Sequence, residues 1–106
     1  MEITTITSVE DFKRVTESND DFVVFKHSIT CPISDAANRE FEQYSQHSNK
    51  PLFRLDVQKA RELSNYIADS YQIKHESPQV ISFTDQEPTW NNSHSAITVS
   101  NLKANI

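Results

Sequence analysis

The chain has 106 residues, ten Lys and Arg against fifteen Asp and Glu for a formal charge of −5, one cysteine and no glycine. That length suits a single domain whose core needs neither disulfide nor metal, and one cysteine excludes an internal disulfide, which fits a reducing cytosol better than a disulfide-framed secreted scaffold. The mild acidic excess, with no basic stripe interleaved with aromatics, argues against nucleic-acid binding, and the absence of glycine removes the phosphate loops of nucleotide sites.

Met1–Thr7 is polar and lacks a basic start and an apolar stretch, so no signal peptide is expected. The longest apolar run, Phe22–Phe25, is far short of the ~20 residues of a membrane span. A cytoplasmic location without membrane contact is the expectation. Left-handed backbone positions must fall to residues other than glycine, and Asn19, Asn49, Asn65, Asn91 and Asn92 are the expected stand-ins.

In chain order, Glu2–Ile6 reads as a short strand. Ser8 and Asp11 form a capping-box-like start for a helix with Val9, Phe12 and Val15 on one face, broken by Ser18–Asp21. Phe22–Phe25 is a central strand covered on both faces, and Lys26–Thr30 a turn. Pro32 opens a helix in which Ile33, Ala36, Ala37, Phe41 and Tyr44 recur at helical spacing, ending near His47–Pro51. Leu52–Val57 alternates as a second core strand parallel to the first. A helix over Lys59–Tyr71 buries Ala60, Leu63, Ile67 and Tyr71, and a loop from Ile73 leads to Pro78. Val80–Thr84 is strand-like, Asp85–Pro88 a hairpin turn, and Thr89–Asn91 a short edge strand in which Trp90 packs. Thr98 caps a last helix bearing Leu102 and Ile106. The predicted order βαβαββα, a mixed four- to five-stranded sheet flanked by helices, is an α/β fold of thioredoxin-like arrangement in one domain spanning residues 1–106.

Cys31 lies where the central strand gives way to the second helix. A sulfur in the first turn of a helix meets unpaired N–H groups and the positive end of the helix dipole, and both favour the nucleophilic thiolate. The alternative, a cysteine buried as a small hydrophobe, fits poorly with polar residues before Cys31 and a proline after it. Ser34, one helical turn on, either donates a hydrogen bond to the thiolate or is a solvated first-turn serine. Strand alternation points Lys26 and His27 oppositely, so one of them faces the site. His47 and His94 read as surface or capping residues, and four scattered histidines with one cysteine do not compose a zinc site.

The segment Thr30-Cys31-Pro32-Ile33-Ser34 resembles the Thr-Cys-Pro-Ile-Ser motif of the monothiol bacilliredoxins. Lys74-His75-Glu76-Ser77-Pro78-Gln79 is similar to that family's second signature, before the fourth strand. The resemblance covers essentially the whole chain. A Cys-x-x-Ser at a helix start is also similar to monothiol glutaredoxins, whose Cys-Gly-Phe-Ser needs the glycine absent here.

The resemblance implies a cis Pro78 facing Cys31, with the backbone of Ser77 free to pair with an extended thiol substrate in the manner of strand addition. It places Thr30 and Pro32 at the substrate, and it makes Lys26 or His27, and Lys74 or His75, candidate contacts for the malate carboxylates of bacillithiol. It further implies that Cys31 attacks a protein–bacillithiol mixed disulfide, frees the protein thiol and holds bacillithiol until another thiol removes it. The partners would be S-bacillithiolated proteins and a low-molecular-weight thiol, with bacillithiol as co-substrate, no tightly bound cofactor or metal, and a monomeric protein. Two other readings compete: a thioredoxin-like binding or adaptor module without turnover, and a glutathione-using monothiol glutaredoxin-like protein. One cysteine per chain plus a small thiol could in principle also ligate a cluster bridging a dimer.

Overall fold

The computed structural model describes all 106 residues. The elements run β1 (Ile3–Thr5), α1 (Val9–Ser18), β2 (Phe22–His27), α2 (Pro32–Tyr44), β3 (Leu52–Asp56), α3 (Arg61–Tyr71), β4 (Gln79–Thr84), β5 (Glu87–Ser93), a 3₁₀ turn (His94–Ala96) and α4 (Val99–Asn105). One sheet holds all five strands in the order β1-β3-β2-β4-β5. β3 pairs parallel with both β1 and β2, while β4 runs antiparallel to β2 and to β5. The predicted α/β class and thioredoxin-like arrangement are therefore those of the molecule.

The sheet divides two cores because alternate strand residues face opposite sides. Phe22, Val24, Leu55, Ile81 and Phe83 meet Phe12 and Val15 of α1 and Leu63 and Ile67 of α3. On the other face Val23, Phe25, Leu52 and Val80 meet Ala37, Phe41 and Tyr44 of α2 and Leu102 of α4, with Trp90 half-buried against them. β2 is central, and every residue from Phe22 to Lys26 is buried. No helix is long and apolar enough to cross a membrane.

Local chemistry sets the boundaries. At α1, Ser8 Oγ accepts the Asp11 N–H at 3.1 Å while the Asp11 carboxylate accepts Thr7 N–H at 3.0 Å, a reciprocal cap. Thr98 Oγ1 caps α4 through Asn101 N–H at 3.1 Å. β2 runs two residues further than the sequence pattern indicates, because Lys26 and His27 keep the ladder to Leu55 and Asp56. β5 likewise extends to Glu87 and Ser93, since pairing with β4 holds residues whose composition carries no strand signal.

The left-handed positions are Gln72, Asp85, Gln86 and His94, and none of the five asparagines is among them. Asp85 and Gln86 form the two-residue β4–β5 turn, whose twist demands positive φ at both central positions. Contacts with the α1–β2 connection hold it: Gln86 N–H donates to Asp20 O at 2.7 Å, and Asp85 N–H to the Asp21 carboxylate at 3.0 Å.

Candidate active site

Because β2 and β4 are antiparallel, the chain leaving β2 and the chain entering β4 lie at the same end of the sheet, with Lys26 opposite Gln79 as the last ladder pair. The segment Ser28–Cys31 and the segment Lys74–Pro78 therefore share one end of the molecule. The Ser77–Pro78 peptide is cis, and Pro78 is buried. Ser77 is half-buried, and its backbone N–H and C=O have no partner within the chain.

Cys31 is half-buried at the N-cap of α2, with Pro32 in the first turn. Its side chain makes no capping bond, its carbonyl accepts Asp35 N–H at 3.1 Å, and its own N–H donates to Ser28 O at 3.3 Å. Pro32 has no N–H, so those of Ile33 and Ser34 are the unpaired donors of this helix end, next in the chain to the sulfur. Asp35 adds an exposed carboxylate to the same turn. Ile29 and Ile33 are 42 % and 51 % exposed and give the segment an apolar rim, so Ile33 does not join the core as its helical spacing suggested. A cavity of about 460 Å³ lies along α2 from Ile33 to Gln43, with His94 and Ile97 on its other side.

Ser34 takes the buried place instead. It is 0 % exposed, its Oγ accepts Ser28 N–H at 2.8 Å, and it lies 2.7 Å from His27 Nδ1. With His27 protonated at Nε2, the single Ser34 proton is donated to that ring. Both sequence expectations for Ser34 are thus corrected: its hydroxyl is neither solvated nor bonded to Cys31, and it ties the strand end to α2. His27 is half-buried and stacks on Phe25 with ring centroids 5.7 Å apart, and burial pushes its pKa below the usual histidine value.

Lys26 points to the opposite face, and it cannot contact a substrate carboxylate. It is 0 % exposed, and its ammonium donates to Ser64 O at 3.0 Å and lies 3.3 Å from His75 Nδ1. No carboxylate lies within salt-bridge distance, and desolvation lowers its pKa to about 8. His75 is half-buried, and desolvation followed by the charges of Lys26 and Arg61 lowers its pKa. Lys74 is exposed and pairs loosely with Glu76 at 3.8 Å, a contact of little energetic weight. Lys74 and His75 both stand at the site's end of the sheet, and of the two only Lys74 has an exposed cationic head.

Two residues escaped the sequence reading. Gln58 holds the whole approach to Cys31: its Oε1 accepts Ile29 N–H at 3.1 Å, and its Nε2 donates to Ser28 Oγ at 2.8 Å and Thr30 Oγ1 at 3.1 Å. Thr30 is thereby tied to the β3–α3 connection. His94, read as a surface or capping residue, donates its backbone N–H to Pro78 O at 3.0 Å, and its ring lies 3.4 Å from Glu76. A glutamine in a polar connection carries no periodic or motif signal, and His94 acts through its backbone at positive φ.

A lone cysteine at the start of the helix that follows the central strand thus shares one end of the sheet with a cis-proline loop. The sequence model of the family described as Monothiol bacilliredoxin BrxC matches residues 4–102. The chain belongs to that family. A solved structure described as a candidate oxidoreductase with a thioredoxin fold is 39 % identical to this bacilliredoxin-family chain, with a TM-score of 0.90, covering 96 % of this chain and 91 % of that one. Thioredoxin from Schistosoma mansoni, in its reduced pre-protein form, is 18 % identical with a TM-score of 0.78, covering 98 % and 94 %. A mutant thioredoxin from Halobacterium salinarum NRC-1 is 16 % identical with a TM-score of 0.78, covering 97 % and 86 %. These two share the fold. Family and fold together make this bacilliredoxin-family chain a thioredoxin-like redox protein.

Proposed function

We propose that this protein removes bacillithiol from S-bacillithiolated proteins by monothiol exchange at Cys31. The Cys31 thiolate attacks the bacillithiol sulfur of the mixed disulfide, the protein–bacillithiol S–S bond breaks, and the protein leaves as its thiolate. Cys31 then carries bacillithiol in a new disulfide with no net change in redox state. A second, low-molecular-weight thiol repeats the exchange on Cys31 and frees it.

The observation that carries this reading is that a serine, Ser34, stands one helical turn after Cys31. The position one turn on, where an internal disulfide would close, holds a buried serine committed to His27 and Ser28, so an intramolecular resolving step has no sulfur. Membership of the monothiol bacilliredoxin family supports the choice of bacillithiol. The unpaired backbone of Ser77 suits an extended polypeptide around the modified cysteine, and the apolar rim of Ile29 and Ile33 offers it contact area. Exposed Lys74 is the cation best placed for a malate carboxylate.

The test compares two donors. One model protein, carrying either bacillithiol or glutathione on its cysteine, is incubated with the reduced chain, and the released protein thiol is followed over time. The reading predicts faster release from the bacillithiol conjugate and none with Cys31→Ser. A glutathione preference would overturn the assignment of the thiol, and release by Cys31→Ser would overturn the role of the sulfur.

A further inference from the structure

Lys26 and Gln79 are the last cross-strand pair of β2 and β4, and neither side chain behaves as its position on a core face would require. Both are buried, at 0 % and 1 % exposure, and both donate into the same short stretch of chain before the cis peptide. The Lys26 ammonium is 3.3 Å from His75 Nδ1, and Gln79 Nε2 donates to Lys74 O at 3.1 Å. Lys26 also donates to Ser64 O at 3.0 Å, and Ser64 Oγ lies 3.1 Å from the same His75 nitrogen. Gln79 Oε1 has no partner. Burying an ammonium without a carboxylate and an amide oxygen without a donor is costly, so the cluster is not explained by core packing.

An ammonium only donates. A contact between Lys26 and His75 Nδ1 as a hydrogen bond therefore requires that nitrogen to be bare, which leaves the neutral imidazole with its proton on Nε2. The ring sits two residues before Ser77.

We infer that Lys26, with Gln79 beside it, is a positioning residue for thiol exchange: it latches His75 to the end of β2, as Gln79 latches Lys74 to the start of β4, and fixes His75 as a neutral Nε2–H donor in the loop that presents Ser77 and Pro78. The latch corrects the sequence expectation that Lys26 itself meets the substrate, and its catalytic consequence rests on the exchange reaction proposed above. The groups facing His75 are Lys26 from β2, Arg61 and Ser64 from α3, and Glu76 in its own loop. Protonation of His75 at Nδ1 removes the acceptor that Lys26 uses, so acid opens the latch.

Long-range proton–nitrogen spectra of the imidazoles in the full reduced chain, recorded from pH 5 to 8 for wild type, Lys26→Met and Ser64→Ala, test the latch without reference to activity. The expected result is a wild-type His75 protonated at Nε2 with a titration midpoint below its ordinary 6.5, and in Lys26→Met a midpoint raised by half a unit or more with the two tautomers mixed. A midpoint and tautomer unchanged in Lys26→Met but lost in Ser64→Ala would overturn the inference and make Ser64 the residue that orients the ring.

Transfer of bacillithiol to Cys31 is then expected to fall about tenfold in Lys26→Met, within the ~10²-fold that an ångström of misplacement can cost. His75→Gln, which keeps an acceptor and a donor, should retain transfer, and His75→Leu should lose it to the same extent. Wild-type transfer by His75→Leu would overturn the positioning role even if Lys26→Met fails to fold. If the wild-type chain transfers no bacillithiol, the proposed reaction fails, and the imidazole spectra still decide the latch.

Discussion

At the scale of single residues, two buried polar side chains near the start of α2 and the end of β2, Ser34 and Lys26, spend their hydrogen bonds within the chain. Ser34 removes a buried orphan by accepting Ser28 N–H. Ser34→Ala leaves that donor unpaired, at a cost of about 1–3 kcal/mol, and loosens the segment that sets the sulfur. Denaturant unfolding should show the loss, and adduct transfer should slow by about tenfold; unchanged transfer would contradict the positioning role. Lys26 gives a pH signature. Its folded pKa of about 8 lies below its ordinary 10.5, so between those values the unfolded chain binds the extra proton, and stability rises with pH across that window. Below pH 8 the penalty is constant and on the order of 3 kcal/mol at full effect. The stability of wild type relative to Lys26→Met should therefore rise from pH 8 to 10.5 in urea titrations, and a flat difference would contradict a buried ammonium. His27 and His75 shift in the same direction by desolvation, so stability should also fall as pH drops below about 6.5.

At the scale of elements, amphipathic periodicity reveals the four helices because Phe12, Phe41, Leu63 and Leu102 must all reach a core. Strand ends were less legible. Lys26, His27 and the polar run of β5 are held by ladder bonds to neighbours distant in sequence, which no local pattern records. Side-chain accommodation is illegible in the same way at Ile33 and Ser34, where the apolar residue faces solvent and the polar one is buried because the Ser28 N–H and the His27 ring receive it. The left-handed positions show the same limit. Gln72 ends α3 at φ 54°, and the N–H of Ile73 reaches back to Ala68 O at 3.1 Å. A Cβ at that φ costs roughly 1–2 kcal/mol, part of which the greater unfolded-state freedom of glycine offsets. Gln72→Gly should stabilise the protein by about 0.5–1 kcal/mol in thermal or urea unfolding; destabilisation would mean that the glutamine side chain contributes more than its backbone costs.

At the scale of the whole molecule, antiparallel pairing of β2 with β4 brings together two segments more than forty positions apart, Cys31 and Ser77–Pro78. The cysteine, the proline before β4 and the order of elements were readable because each has a local signature. The bonds that give the site its shape were not: Gln58 to Ser28–Thr30, His94 to Pro78, and Lys26 to His75 each join segments far apart in sequence. Fold and family make the chain a thioredoxin-like redox protein, and the account of its reaction turns on whether one sulfur accepts bacillithiol from a protein. The most direct measurement is the intact mass of the reduced chain after incubation with a bacillithiolated protein, beside Cys31→Ser. One bacillithiol adduct is expected on the wild-type chain, removable by added thiol, and no adduct on Cys31→Ser. A folded wild-type chain that remains unmodified while the donor protein keeps its bacillithiol would contradict the exchange.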